Sequence, residues 1–219
     1  MSQNIIIIDG PRLEPKGDIK KLVIFLHGYG SDGNDLISLT EQFYKSLPNT
    51  AFVSPHAPFP CGQNPMGGRE WFPLSSLSYE EKLAGTSNNH QHLAAFIDSQ
   101  KQRYKLREKD IALIGFSQGT MMALYVAPRR PKPLAAVVGF SGALTGIETL
   151  KKQTKSRPPI LLVHGDQDEV VPYSSLAEAE KHLKANKFKV KTHTSPGVGH
   201  GIGPDGIEQA REFLIKKLL

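Results

Sequence analysis
The chain has 219 residues, 22% of them charged, and a formal net charge of +6. That length suits one α/β domain with a sizeable core. No apolar stretch approaches the roughly 20 residues of a membrane-spanning helix. The N-terminus resembles no targeting segment, and the single cysteine, Cys61, allows no internal disulfide, which is compatible with a reducing cytoplasm.

In chain order, Ile5-Ile6-Ile7-Ile8 reads as an edge strand. Apolar runs at 22–26, 51–54, 111–114, 134–140 and 160–164 then alternate with helical segments at 35–47, 88–105, 118–126, 174–185 and 205–218. A further strand is expected over 188–194. This alternation predicts a mainly parallel central sheet with helices on both faces. No repeat, low-complexity tract or linker divides the chain, so residues 1–219 are expected to form a single domain. The stretch 55–88 is different, with Pro55, Pro58, Pro60, Pro65, Pro73, Gly67-Gly68 and Trp71. So long an irregular segment predicts a lid or binding loop. Trp71 and Phe72 are expected to pack near the entrance of a substrate pocket; the alternative is that Trp71 pins the loop to the core.

Gly115-Phe116-Ser117-Gln118-Gly119 lies between an apolar run and a helical segment, the strand–turn–helix setting of a serine nucleophile. A serine hydroxyl needs a base, and the base needs a carboxylate to orient it. Downstream, the run 160–164 leads into Gly165-Asp166-Gln167-Asp168, and the run 188–195 leads into Pro196-Gly197-Val198-Gly199-His200-Gly201. Order and loop placement nominate His200 as base and leave Asp166 and Asp168 competing for the orienting role. One oxyanion donor would be the N–H of Gln118, next after the nucleophile. The glycine-flanked loop His27-Gly28-Tyr29-Gly30 would supply the other, from the N–H of Tyr29.

The segments 25–32, 115–119, His164-Gly165-Asp166-Gln167-Asp168 with Val171-Pro172, and Gly199-His200 resemble the acyl-protein thioesterase and small carboxylesterase family. Pro55-His56-Ala57-Pro58 and Trp71-Phe72 resemble two further blocks of it. The likeness implies an α/β-hydrolase fold, no cofactor, and hydrolysis of acyl esters or thioesters. It implies Ser117, Asp168 and His200 as the triad, leaving Asp166 to stabilise its loop, and Tyr29 and Gln118 as oxyanion donors. The family follows its Trp-Phe with Asp, where this chain has Pro73, a departure that bears on the acyl substrate.

Eight histidines do not make a metal site here, for the chain has no His-Glu-x-x-His helix and no cysteine cluster. Two basic clusters, 101–109 and 151–157, read as solvated surface at a helix end and in a loop, with a weak attraction to anionic lipid headgroups as the alternative. Nothing supports nucleic-acid binding. An apolar rim around the pocket would serve either a transient membrane contact or a homodimer. Rival functions are a peptidase or lactone hydrolase on the same triad, and a non-catalytic binding protein of this fold.

Overall fold
The computed structural model describes residues 4–62, 67–76 and 78–219. In chain order the elements are β1 (Arg12–Leu13), β2 (Lys21–Leu26), α1 (Gly33–Ile37), β3 (Thr50–Val53), β4 (Phe59–Pro60) and β5 (Arg69–Glu70). There follow α2 (Tyr79–Arg103), β6 (Ile111–Phe116), α3 (Gln118–Val126), β7 (Ala136–Phe140) and α4 (Ile147–Gln153). The last are β8 (Ile160–Gly165), α5 (Ser174–Ala185), β9 (Val190–Ser195) and α6 (Pro204–Leu218). Seven strands form one sheet in the order β1-β3-β2-β6-β7-β8-β9, parallel except for β1. This is the α/β-hydrolase arrangement.

Strand side chains alternate between the sheet's faces, so each apolar run feeds two cores at once. In β2, Leu22, Ile24 and Leu26 join Leu93 and Ile97 of α2, Met122 of α3 and Leu183 of α5 in one cluster. Val23 and Phe25 join Leu36 of α1 and Phe213 and Leu214 of α6 in the other. Helices therefore cover both faces, as the alternation of elements requires. Parallel strands also place every β-to-α loop at one edge of the sheet, where ligand sites of such folds gather.

Three expectations are corrected. Ile5-Ile6-Ile7-Ile8 forms no strand: Ile7 is 93% exposed, and only Ile8 joins the core. The edge strand is Arg12–Leu13, reached through Gly10-Pro11, where a Cβ on Gly10 would lie 2.1 Å from the Ser54 carbonyl oxygen. Second, helix α2 begins at Tyr79, well before residue 88. Ser78 caps it by accepting from the Glu81 amide at 3.2 Å, and Glu80 and Glu81 favour the positive helix start. The irregular stretch is thus shorter than expected, and it contains the antiparallel pair β4–β5; its residues 63–66 and 77 lie outside the described residues. Third, Lys151-Lys152 belong to the last turn of α4, not to a loop.

Candidate active site
The turn between β6 and α3 is built by what cannot fit there. A Cβ on Gly115 would sit 2.6 Å from the backbone of Gly119, and one on Gly119 would sit 2.0 Å from the Leu26 carbonyl oxygen. Only glycine lets the strand and helix close so tightly. Between them Ser117 is held at φ +52°, ψ −115°, its amide donating to the Phe140 carbonyl at 2.9 Å. Such a backbone conformation costs on the order of 1–3 kcal/mol and persists because the surrounding packing imposes it.

Ser117 Oγ lies 3.0 Å from His200 Nε2, and His200 Nδ1 lies 2.8 Å from Asp168 Oδ2. The three side chains come from loops after β6, β9 and β8. Asp168 Oδ1 accepts from the amides of Val170 and Val171, both at 2.9 Å. Burial works to raise the pKa of Asp168, but the bonds from His200, Val171 and Val170 outweigh it and hold the carboxyl below its ordinary value. His164 is buried near the end of β8, where that strand runs into the Asp168 loop. Its Nε2 lies 3.2 Å from Asp168 Oδ2 and 2.9 Å from the Val171 carbonyl, so that nitrogen carries the proton and braces the carboxylate. Asp166 instead accepts from the Gly197 amide at 2.7 Å, tying together the loops that carry Asp168 and His200.

The Gln118 amide follows Ser117 on the same turn and the Tyr29 amide lies in the loop after β2; neither donates to an acceptor among the described residues. The loop after β2 is pinned by His27, which is fully buried. Its Nδ1–H donates to the Gly28 carbonyl at 2.7 Å, and its Nε2 accepts from the Ala57 amide at 3.0 Å. Burial lowers the His27 pKa to about 4, so the ring is neutral at pH 7 and one tautomer satisfies both bonds. The Tyr29 hydroxyl packs inward on Cys61 and Glu70; burial first, and then those neighbours, raise its pKa.

Trp71 and Phe72 do not face the pocket. Both are 0% exposed and belong to the core cluster. Trp71 Nε1–H donates to the His27 carbonyl at 2.9 Å, and its amide donates to Gln118 Oε1 at 2.8 Å. Gln118 Nε2 donates in turn to the Phe72 carbonyl at 2.7 Å. The reason they turn inward is backbone pairing: the Gln118 amide exhausts two main-chain groups that would otherwise be buried without partners. Trp71 is thereby a strut between the loops carrying the Tyr29 and Gln118 amides. Phe72 packs against Gly85, where an added Cβ would meet its ring at 2.2 Å.

A cavity of about 330 Å³ opens over Ser117, His200 and Tyr29, with Leu74, Met121 and Val171 among its apolar walls. Ser75 and Ser76 form part of its rim. Glu81 clips them in place, accepting from the amide and hydroxyl of Ser75 at 2.6 Å each and from those of Ser76 at 2.7 and 2.8 Å. The Ser75 hydroxyl and amide lead the bonds that lower the Glu81 pKa to about 2.

A model of the phospholipase/carboxylesterase family matches residues 13–218. The chain belongs to that family. Curated relatives include acyl-protein thioesterase 1 of Gibberella zeae, 29% identical with 90% of each chain covered. Another is acyl-protein thioesterase 1 homolog 1 of Dictyostelium discoideum, at 27% identity and 90% coverage of each. Among solved structures, esterase PE8 superposes with a TM-score of 0.94 at 43% identity, covering 97% of this chain and 100% of that one. Acyl-protein thioesterase 2 of Zea mays gives a TM-score of 0.78 at 27% identity, with 95% and 98% covered. Family membership makes the protein a hydrolase of the carboxylesterase and thioesterase class.

Proposed function
We propose that the chain cleaves carboxylic esters or thioesters of short to medium acyl chains through an acyl-enzyme intermediate. The observation that carries this reading is the unbroken hydrogen-bonded series Ser117–His200–Asp168 beneath an apolar cavity. Ser117 Oγ attacks the acyl carbonyl carbon while its proton passes to His200 Nε2. Asp168 holds the imidazole tautomer and stabilises the imidazolium. The oxyanion is met by the N–H groups of Tyr29 and Gln118. Collapse of the tetrahedral intermediate expels the alcohol or thiol, which takes the proton from Nε2, and water then releases the acyl group by the same steps. A volume of about 330 Å³ is near the low end for small-molecule sites, which favours shorter chains.

The chain is taken to act as a single domain. No helix among the described residues is long and apolar enough to cross a membrane. A cytoplasmic setting fits the lone, buried thiol. The test is hydrolysis of p-nitrophenyl esters from acetate to palmitate, with Ser117→Ala as control. Turnover should peak at the short to medium esters and vanish in the variant while its circular dichroism spectrum stays that of the parent. Substantial activity in Ser117→Ala would overturn the nucleophile assignment. Faster cleavage of matched amides or lactones than of esters would move the chain to a rival class on the same residues.

A further inference from the structure
The second basic cluster of the sequence lies beside a cavity that the proposed hydrolysis does not use. This cavity, about 570 Å³, is bounded by α2, the C-terminal end of α3 and α4. It shares no lining residue with the space over Ser117. Helix α3 separates the two by its length, roughly 13 Å at 1.5 Å per residue.

Its charges are unbalanced. Arg129, Arg130, Lys152 and Lys155 line it against one carboxylate, Asp98. That carboxylate is already engaged, by Arg130 Nη2 at 2.6 Å and Lys101 Nζ at 3.5 Å. Arg129, Lys152 and Lys155 have no carboxylate within ion-pair distance among the described residues. The lysines are exposed, but Arg129 is partly buried and fixed in place. Its guanidinium carbon stacks 3.5 Å from the Tyr125 ring centroid. Its nitrogens donate to Gln153 Oε1 at 2.8 Å, the Tyr125 carbonyl at 2.8 Å and Thr149 Oγ1 at 3.1 Å, all uncharged acceptors. A guanidinium has five N–H groups, so two remain to be met. Arg130, 4% exposed, also leaves its buried Nε without an acceptor.

Charges drawn into a fold are ordinarily paired, and a guanidinium held rigid over an aromatic ring is preorganised for a planar anion or phosphate. Beside His90, whose ring centroid lies 5.5 Å from that of Tyr125, the remaining walls, Ala94, Val126 and Pro131, are apolar. A bare ion would leave that surface unused and the volume largely empty. We propose that this cavity binds an organic phosphate, the phosphoryl group meeting Arg129, Lys152 and Lys155 and the organic part lying on the apolar walls. A soluble phosphomonoester and a phospholipid headgroup share this chemistry.

Titration calorimetry of the full chain with glycerol 3-phosphate and inorganic pyrophosphate, at constant ionic strength, tests the soluble source. Sedimentation with phosphatidylcholine vesicles with and without phosphatidic acid tests the lipid source. The expected result is saturable phosphate binding in at least one arm. Lys152→Glu/Lys155→Glu should weaken it at least tenfold, while ester turnover is kept. Lys216→Glu/Lys217→Glu on α6, equal in charge change and on the other sheet face, should leave it intact. No saturable binding in either arm overturns the proposal. So does equal loss in the two double variants, which would mean attraction to net charge alone. If Arg129→Gln still folds by circular dichroism, it should also lose the site; full retention there would equally count against it.

Discussion

His27 makes the chain's stability depend on pH in a way that can be calculated. The ring is fully buried and its pKa falls from the 6.5 of a free histidine to about 4. Because the folded value is the lower one, the unfolded chain takes up a proton first as the pH drops. The neutral ring's contribution is therefore present above about pH 6.5 and is lost progressively down to about pH 4. A shift of about 2.5 units corresponds to roughly 3 kcal/mol across the whole window. About 2 kcal/mol of that disappears between pH 7 and pH 5. His27→Gln keeps one donor and one acceptor but cannot titrate. Urea unfolding of parent and variant at both pH values isolates the effect from that of the carboxylates, which titrate in both proteins. The parent should lose about 2 kcal/mol more than the variant on acidification. Equal losses would refute the claim that this ring is held neutral by burial.

Other consequences concern the site's supports. Trp71→Phe keeps the ring packing but removes the N–H donated to the His27 carbonyl. Losing a bond worth about 1–1.5 kcal/mol should lower kcat by roughly tenfold, with KM for a butyrate ester nearly unchanged. A raised KM with full kcat would instead restore Trp71 to the pocket. Gly119→Ala drives a Cβ to within 2.0 Å of the Leu26 carbonyl oxygen. Expression and urea titration should show a loss of more than about 3 kcal/mol or failure to fold, and a parent-like unfolding midpoint would contradict the packing described. Glu81→Ala releases Ser75 and Ser76 from the cavity rim. Its ester profile should shift toward longer chains, with Tm lowered by only about a few degrees for the lost helix-start charge and exposed bonds; an identical profile would show that the clip does not shape the cavity.

Much of this architecture could be read from the residues because its signals are local. Helix α3 begins at Gln118 and α5 spans 174–185 as expected, α3 because the glycine-flanked serine turn fixes its start and α5 because its buried residues, Leu176, Ala179 and Leu183, recur on one face. The Ser117, Asp168 and His200 loops follow strands, so their order along the chain carries over to their gathering at one sheet edge. The beginning of α2 was also written locally, as Ser78 three residues before Glu81, but the prolines upstream masked it. What could not be read depends on distant partners. Trp71 turns inward because Gln118, 47 residues away, supplies a side-chain amide to its backbone. His164 braces Asp168 because β8 brings the ring back over its own loop. The isoleucines at 5–8 have strand composition, yet Pro11 and Gly10 shift the pairing to Arg12–Leu13. Arg129 shows nothing unusual in sequence; only the fold withholds a carboxylate from it.

The Trp71 strut has a consequence for how the molecule comes into being. Its two bonds close loops of 44 and 47 residues, and the contact between His200 and Ser117 closes one of 83. Such long-range closures lose chain entropy before any contact repays it, so they are late events in folding. The separate strands and helices can form while the loops over the cavity are still apart. Ester turnover therefore begins only when all three closures have been made, and during refolding enzymatic activity should trail the recovery of helical signal.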